Sequence, residues 1–496
     1  MGFVRGLTFL LIIPTALSAQ SAESITSAVA SITPKDIAHR IGVIAHDSMR
    51  GRDTPSPELD ETAEYIAAEF KRLGLVAGGD DGFIQRYPIR TMALDPTRSR
   101  VRFANGSDWA LGPDILLRSG VSSSAVTGVP YLVSGGSGDS SIMEQIPTGS
   151  IVFLVTGAGA SVREMMQAAF RREPAALVWI GQRPDASWNR MQAMMDRPRP
   201  QVGSGGMAFL EVQSETVQAL FAASGYDAAL ATFDAQAPLT VQALERLAVE
   251  IDLQYQTVRE QAAPNTVGIL EGSDPVLKHE YIVYSGHMDH VGVGTPINGD
   301  SIFNGADDDA SGTIAVVELA EAFATLQPRP KRSIVFLTVS GEERGMWGSS
   351  YFAENPPVPM KQMVANFNAD MVGRNWTDTI VVIGRHHSDL GATLERVNTA
   401  HPELNMTAID DLWPEQNFYN RSDHINFARR GVPILFFFSG THEDYHRPGD
   451  EPEKIDAEKQ SRIVKLMFYL GLEVANAAER PKWNPESAAE IVSGGR

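Results

Sequence analysis

The chain has no cysteine among its 496 residues. That excludes a disulfide framework, thiolate catalysis and a lipid-modified cysteine. It leaves His, Asp and Glu as the side chains able to hold a metal ion. Basic residues are also scarce: 42 Lys and Arg stand against 61 Asp and Glu, a formal charge of −19. Such a balance argues against nucleic acid or an anionic membrane as the main partner and favours solubility. Long apolar runs are missing beyond the N-terminus. The one there, in MGFVRGLTFLLIIPTALSAQSAES, follows a single Arg and runs into small residues. This is the layout of a secretory signal peptide over 1–19, with cleavage after Ala19, and the run is too short for a comfortable membrane span. The expectation is an exported chain, periplasmic or extracellular, with no membrane insertion. At 43% hydrophobic and 21% charged residues, the remainder reads as globular and long enough for two or three domains.

Periodicity organises that remainder. Helical spacing occurs at 37–46 and again at 60–73, where Ala63, Ile66, Phe70 and Leu73 share a face and Gly74 stops the helix. Between them SMRGRDTPSPELD is a turn-rich connector, and residues 84–117 alternate like edge strands. From about Gly120 short buried strands alternate with helices, predicting a small α/β insert over 119–250 that contains no His. Within it 188–207, rich in Met, Arg and Pro, is expected to be a surface loop. After 251 the chain settles into a regular strand–loop–helix rhythm ending in a helix over 457–477. The expected fold is α/β: a mixed, mostly parallel central sheet flanked by helices, built from 30–118 and 251–480, with 481–496 as a tail.

The stretch 285–312, SGHMDHVGVGTPINGDSIFNGADDDASG, holds two His, five Asp and no Lys or Arg. It starts at the end of an apolar strand. Other strands finish the same way: one delivers Glu342 and Glu343, another Asp370, and His446 lies just past a last apolar strand. In a mostly parallel sheet such tips converge on one crevice. These residue types suit two divalent ions, with zinc the expected metal. The candidate ligands are His287, Asp308, Glu343, Asp370 and His446. If one carboxylate bridges, three carboxylates and a hydroxide balance two dications. Glu342 is then spare, and a spare carboxylate beside metal-activated water is what a general base requires. Asp289, two residues from His287, would orient that imidazole if the strand persists. His442 to His446 reads HEDYH, the H-E-x-x-H zinc motif, but that motif needs a helix, and Pro448 and Gly449 would cut one off.

GHMDHVG, NGADDDASG, SGEERGMWGS, NFNADMVGR, NRSDHINF and DYHRPGDE closely resemble metallopeptidase family twenty-eight, the co-catalytic zinc aminopeptidases. The resemblance covers roughly 255–480 and, more weakly, 49–70. It implies two zinc ions per chain, bridged by Asp308, one completed by His287 and Asp370, the other by Glu343 and His446. It also implies a cis peptide between Asp308 and Asp309, and substrate contacts from Tyr445 and Arg421. Trp413, Phe418 and Tyr419 either line a side-chain pocket or pack in the core. The insert resembles a protease-associated domain. The implied activity is an aminopeptidase acting on peptides with a free N-terminus, by a metal-bridging hydroxide with Glu342 as general base. The alternatives are a carboxypeptidase or glutaminyl cyclase on the same fold, or a non-enzymatic receptor or binding module.

Overall fold

The computed structural model describes residues 20–120, 125–157, 160–195, 197–202 and 206–492. The expected signal segment lies outside them. The chain divides into two compact units. The larger takes the described residues up to Arg86 together with Pro264–Ala488, and the smaller takes Tyr87–Ala263 with the described residues from Ala489.

The larger unit is built on the strand Tyr281–His287, in which every residue after Tyr281 is buried. It pairs in parallel with Ser333–Val339 on one side and Met363–Ala369 on the other, and the latter pairs in parallel with Ile434–Phe438. Thr379–Ile383 then runs antiparallel to Ile434–Phe438, and the strand ending at Leu270 runs antiparallel to Ser333–Val339. Strands buried on both faces read as continuous apolar runs, which is why IVFLTV and ILFFF stood out in the sequence. Because the four central strands are parallel, their C-terminal ends share one edge of the sheet. There His287 is level with Val339, and Ala369 with Phe437. The residues that follow these ends form the site.

Helices cover the sheet. Gly312–Thr325 is apolar around nearly its whole circumference and correspondingly buried. Its one charged residue with no exposure, Glu318, is ion-paired with Arg40, which also reaches Glu69 at 3.0 Å. Pro57–Arg72 starts where Ser56 accepts from the Leu59 amide, has Pro in its first turn, and buries Leu59, Ala63, Ile66 and Phe70. Tyr284, fully buried in the central strand, stacks on Phe336 at 5.9 Å and donates its hydroxyl to Met467 O of helix Ala457–Asn476 at 2.9 Å.

The smaller unit holds a sheet of parallel strands Pro130–Ser134, Ile151–Val155, Ala176–Gly181 and Ala208–Gln213 with antiparallel edges Thr240–Ala243 and Ile115–Ser119. The α/β insert was expected over 119–250, and this sheet lies within the compact unit Tyr87–Ala263. Arg100–Phe103, placed by sequence in the N-terminal part, pairs here with Val249–Asp252, which straddles the expected boundary at 250/251. Their alternation marks half-buried strands but carries no information on which sheet receives them. The expected surface loop also differs: Asp185–Met195 is a helix, because Trp188, Met191 and Met195 fall on one face and pack into this unit's core. The expected tail is packed in part: Trp483 Nε1 donates to Gly431 O at 2.9 Å, and a helix spans Pro485–Ile491.

Candidate metal centre

Five chain segments meet at the sheet edge. The first leaves the central strand at His287 and turns through Asp289 to His290, all at most 1% exposed. The second is the run Asp307–Asp309 ahead of helix Gly312–Thr325, and its Asp308–Asp309 peptide is cis. The third, after Val339, carries Glu342 and Glu343. The fourth supplies Asp370, at the tip of its strand, and the fifth supplies His446, which lies in a turn with φ +54. The HEDYH segment is therefore not helical. His442 instead stands 3.3 Å from Asp307.

The carboxylate of Asp308 divides its two oxygens. Oδ1 lies 3.3 Å from His287 Nε2, and Oδ2 lies 3.1 Å from His446 Nε2. His287 Nε2 is also 3.7 Å from Asp370 Oδ1, and His446 Nε2 is 3.1 Å from Glu343 Oε1. Two groups result, each with one imidazole and one carboxylate of its own and each facing Asp308. Asp309 is buried beside them, but its oxygens are taken by backbone donors: His287 N at 3.0 Å, Gly312 N at 2.8 Å and Met371 N at 3.1 Å. It fixes three of the segments to one another.

The donor set fits zinc. Asp308 Oδ2 and Glu343 Oε1 are buried and accept no hydrogen bond among the described residues. Their nearest polar neighbours are imidazole nitrogens at 2.9–3.1 Å, and buried carboxylates facing imidazoles without well-directed hydrogen bonds are costly unless a cation stands between them. Four tetrahedral ligands about 2.0–2.1 Å from zinc lie about 3.3 Å from one another. The four N···O separations run from 3.1 to 3.7 Å.

The electrostatics describe the metal-free chain. Burial pushes His287 down, but Asp370, Asp289 and Asp308 outweigh it and hold the imidazole well above its usual range. His446, disfavoured by burial and favoured by Asp308 and Glu343, rises to about 10. Glu342 is raised well above the carboxylate range by enclosure, with Asp423, Asp370 and Glu343 adding to it and His287 opposing. Protons thus take the place that cations would fill.

Around this centre the expected orienting role of Asp289 is divided. The strand ends at His287, so Asp289 reaches back through a turn and not along a strand face. Its backbone oxygen is 3.1 Å from His287 Nδ1 and its carboxylate 3.6 Å. Ser422 Oγ donates to Asp370 Oδ2 at 2.8 Å. His290, a ligand-type side chain by sequence but outside the five candidate ligands, brings Nδ1 within 2.9 Å of Glu343 Oε1. Its place as the last letter of HMDH was the available signal. Asp423 is fully buried and pushed up to about 7 by burial, partly opposed by His287.

A pocket opens beside these groups. It is lined by His287, Glu342, Asp370, Tyr445, Arg421 and Phe418, with Phe436 and Phe438 on its wall. Tyr445 stacks on His446 at 4.0 Å, and Arg421 lies over Phe418 at 4.7 Å. Of the aromatic residues left open by sequence, Phe418 lines the pocket and Trp413 packs behind it against Phe418 and Phe438. Tyr419 is packed against His424.

A parallel-centred α/β sheet whose strand ends gather two histidines and three carboxylates beside a pocket is an arrangement able to hold metal ions. Residues 265–471 match the model of Peptidase family M28. The chain is 28% identical over 242 residues to Aminopeptidase YwaD of Bacillus subtilis (strain 168), covering 47% of this chain and 49% of that protein. It is 28% identical over 256 residues to a probable zinc metalloprotease of Pyricularia oryzae, covering 43% and 50%. It thus spans about half the length of these curated relatives. Among solved structures it is similar to the aminopeptidase from Aneurinibacillus sp. strain AM-1, with TM-score 0.48, 16% identity and coverage of 92% and 97%.

Proposed function

We propose that the chain is an exported aminopeptidase that uses two zinc ions to remove N-terminal residues from peptides. The observation that carries this reading is the divided carboxylate of Asp308, one oxygen toward each imidazole–carboxylate pair. His287 and Asp370 would hold one ion, Glu343 and His446 the other, with Asp308 between them. Bound zinc supplies Lewis acidity, polarising the scissile carbonyl and lowering the pKa of water. Glu342, which has no place in either group, accepts the proton of the attacking water and delivers it to the leaving amine. Asp289 keeps His287 turned toward its ion. Tyr445, on the pocket wall beside His446, donates to the carbonyl oxygen as charge develops there. Arg421 contacts the substrate at the rim, and the aromatic wall of Phe418, Phe436 and Phe438 receives an apolar side chain. The smaller unit, read as a protease-associated-like insert, takes no part in the chemistry.

The test is mass spectrometry of one peptide presented in four forms to the zinc-loaded chain. These are a free N-terminus, an N-acetylated copy, a C-terminal free acid, and a Gln-initiated copy. Stepwise loss from unblocked N-termini alone is the expected result. Loss from the free-acid end would replace the reading with a carboxypeptidase, and loss of ammonia from the Gln copy with a glutaminyl cyclase. No change in any form would remove catalysis altogether in favour of a binding module.

A further inference from the structure

The connector Arg50–Thr54, which nothing in the chemistry above requires, runs directly beneath the metal centre. Arg52 is fully buried, and its guanidinium is spent on backbone oxygens. Nε donates to Met288 O at 2.7 Å, Nη1 to Asn304 O at 2.7 Å and Ile44 O at 2.8 Å, and Nη2 to Gly305 O at 2.9 Å. Met288 lies between His287 and Asp289, while Asn304 and Gly305 lead into Asp307–Asp309. One side chain therefore holds the two segments that supply His287 and Asp308. Gly51, at φ +69, packs so closely that a Cβ would meet Phe303 O at 2.4 Å.

Two residues on, Thr54 is 4% exposed and uses its hydroxyl in both directions. Oγ1 donates to Asp289 Oδ2 at 3.0 Å and accepts from Gly341 N at 3.0 Å. Asp289 Oδ1 in turn accepts from Glu342 N at 3.2 Å. The hydroxyl thus closes a ring of hydrogen bonds: Thr54 to Asp289, Asp289 to the Glu342 amide, and the Gly341 amide back to Thr54. Inside that ring sit the residue that orients His287 and the backbone that carries Glu342 and Glu343. A hydroxyl that is both donor and acceptor is required; an isosteric valine would leave the Gly341 amide and an Asp289 oxygen unpaired.

We infer that Thr54 is a positioning residue for the metal centre, acting through Asp289 on His287 and through Gly341 on Glu342, with Arg52 anchoring the segment that presents it. This rests on the metal-site reading above. Outer partners of metal ligands commonly change metal affinity by about 10–100-fold.

The test uses the full chain as wild type, Thr54→Val, Thr54→Ser, Asp289→Asn and Thr54→Val/Asp289→Asn. Zinc retention is read by competition with a chelator, alongside melting of the metal-free chain and kcat/KM for a peptide. Thr54→Val should retain zinc about tenfold less tightly and lose kcat with little change in KM, while Thr54→Ser returns both to within about twofold. In the Asp289→Asn background the valine should add no further loss of zinc retention, since its route to His287 is already cut. Wild-type zinc retention in Thr54→Val, failure of serine to rescue, or additive losses in the double variant would each overturn the inference. Should Thr54→Val not fold, Thr54→Ala alone and with Asp289→Asn takes its place on the same scale, and additive losses overturn the inference. Zinc binding is measured without turnover, so a chain that binds zinc but cleaves nothing sinks the aminopeptidase reading and leaves this inference standing.

Discussion

Gly312 opens the helix behind Asp307–Asp309, and the structure leaves no room for a methyl group there. A Cβ would sit 2.1 Å from Ala369 O and 2.4 and 2.5 Å from the two oxygens of Asp309. Ordinary carbon–oxygen contact needs roughly 3.2 Å, so Gly312→Ala forces a relative movement of about 1 Å. Neither neighbour is a loose side-chain end. Ala369 O belongs to the strand that carries Asp370, and Asp309 is tied to the His287 and Met371 amides. The movement must therefore open the distance between Asp308 and the His287–Asp370 pair. Overpacking of this kind costs about 1–3 kcal/mol, the upper part applying where backbone must yield. A 1 Å misplacement at a reacting centre costs on the order of 10²-fold in rate. The assay is kcat/KM of the zinc-saturated variant together with zinc retention and the melting temperature of the metal-free chain. Gly42→Ala is the control: that helical glycine has nothing within 4 Å of the added atom, so alanine there should stabilise by about 0.5–1 kcal/mol. Gly312→Ala with wild-type turnover and zinc retention would refute the claim that this contact sets the centre.

Further outcomes follow from the same geometry. Glu342→Gln should keep its zinc and lose about 10²–10⁴-fold in kcat, measured by single-turnover hydrolysis and metal analysis; substantial residual turnover removes it as general base. His287→Ala should instead lose bound metal, and a full metal complement would remove it from the ligand set. Zinc added to the metal-free chain at 100 times its dissociation constant should stabilise the fold by about 2.7 kcal/mol for each site filled, seen as a rise in melting temperature that a chelator reverses. His424, buried against Phe436 at 4.4 Å, is pushed down from 6.5 to about 3 by burial. A depressed imidazole contributes stability that is present above the unfolded value and lost as pH falls below it. Between pH 7 and 5 this group alone should take away about 2 kcal/mol, read as a smaller pH slope of unfolding in His424→Asn than in wild type.

What could be read in advance was whatever the backbone pattern enforces. Continuous apolar runs ending in Gly or in acid marked parallel strands and their tips, so His287, Glu342, Glu343 and Asp370 were locatable from spacing alone. Partners made by turns were not. Asp289 follows the end of its strand, and its carbonyl lies nearer to His287 Nδ1 than its carboxylate; alternation cannot predict which atom of a residue a turn presents. The helix Asp185–Met195 was hidden because Met, Arg and Pro composition suggested a loop, while burial of Trp188 and Met195 decides the matter. The smaller unit's bounds were hidden for a related reason, since strand alternation records a buried face and not the sheet that buries it.

The least legible residues are those whose chemistry runs against their composition. Arg50–Thr54 has the polarity of a surface connector, yet Arg52 is fully buried. A buried guanidinium is expected to pair with a carboxylate, and the nearest in the chain, Asp53, is instead ion-paired with Arg344. The structure meets the cost differently, with four backbone carbonyls drawn from three segments. Those carbonyls point at the guanidinium only because the turns around His287 and Asp308 are folded as they are. The dependence runs both ways: the arginine is tolerable when the site's backbone is in place, and that backbone keeps its unpaired carbonyls out of an apolar interior when the arginine is in place. A replacement by methionine, similar in reach but without donors, should therefore disturb metal retention and folding together, whereas lysine, which keeps the charge and fewer donors, should spare more of the fold than of the zinc affinity.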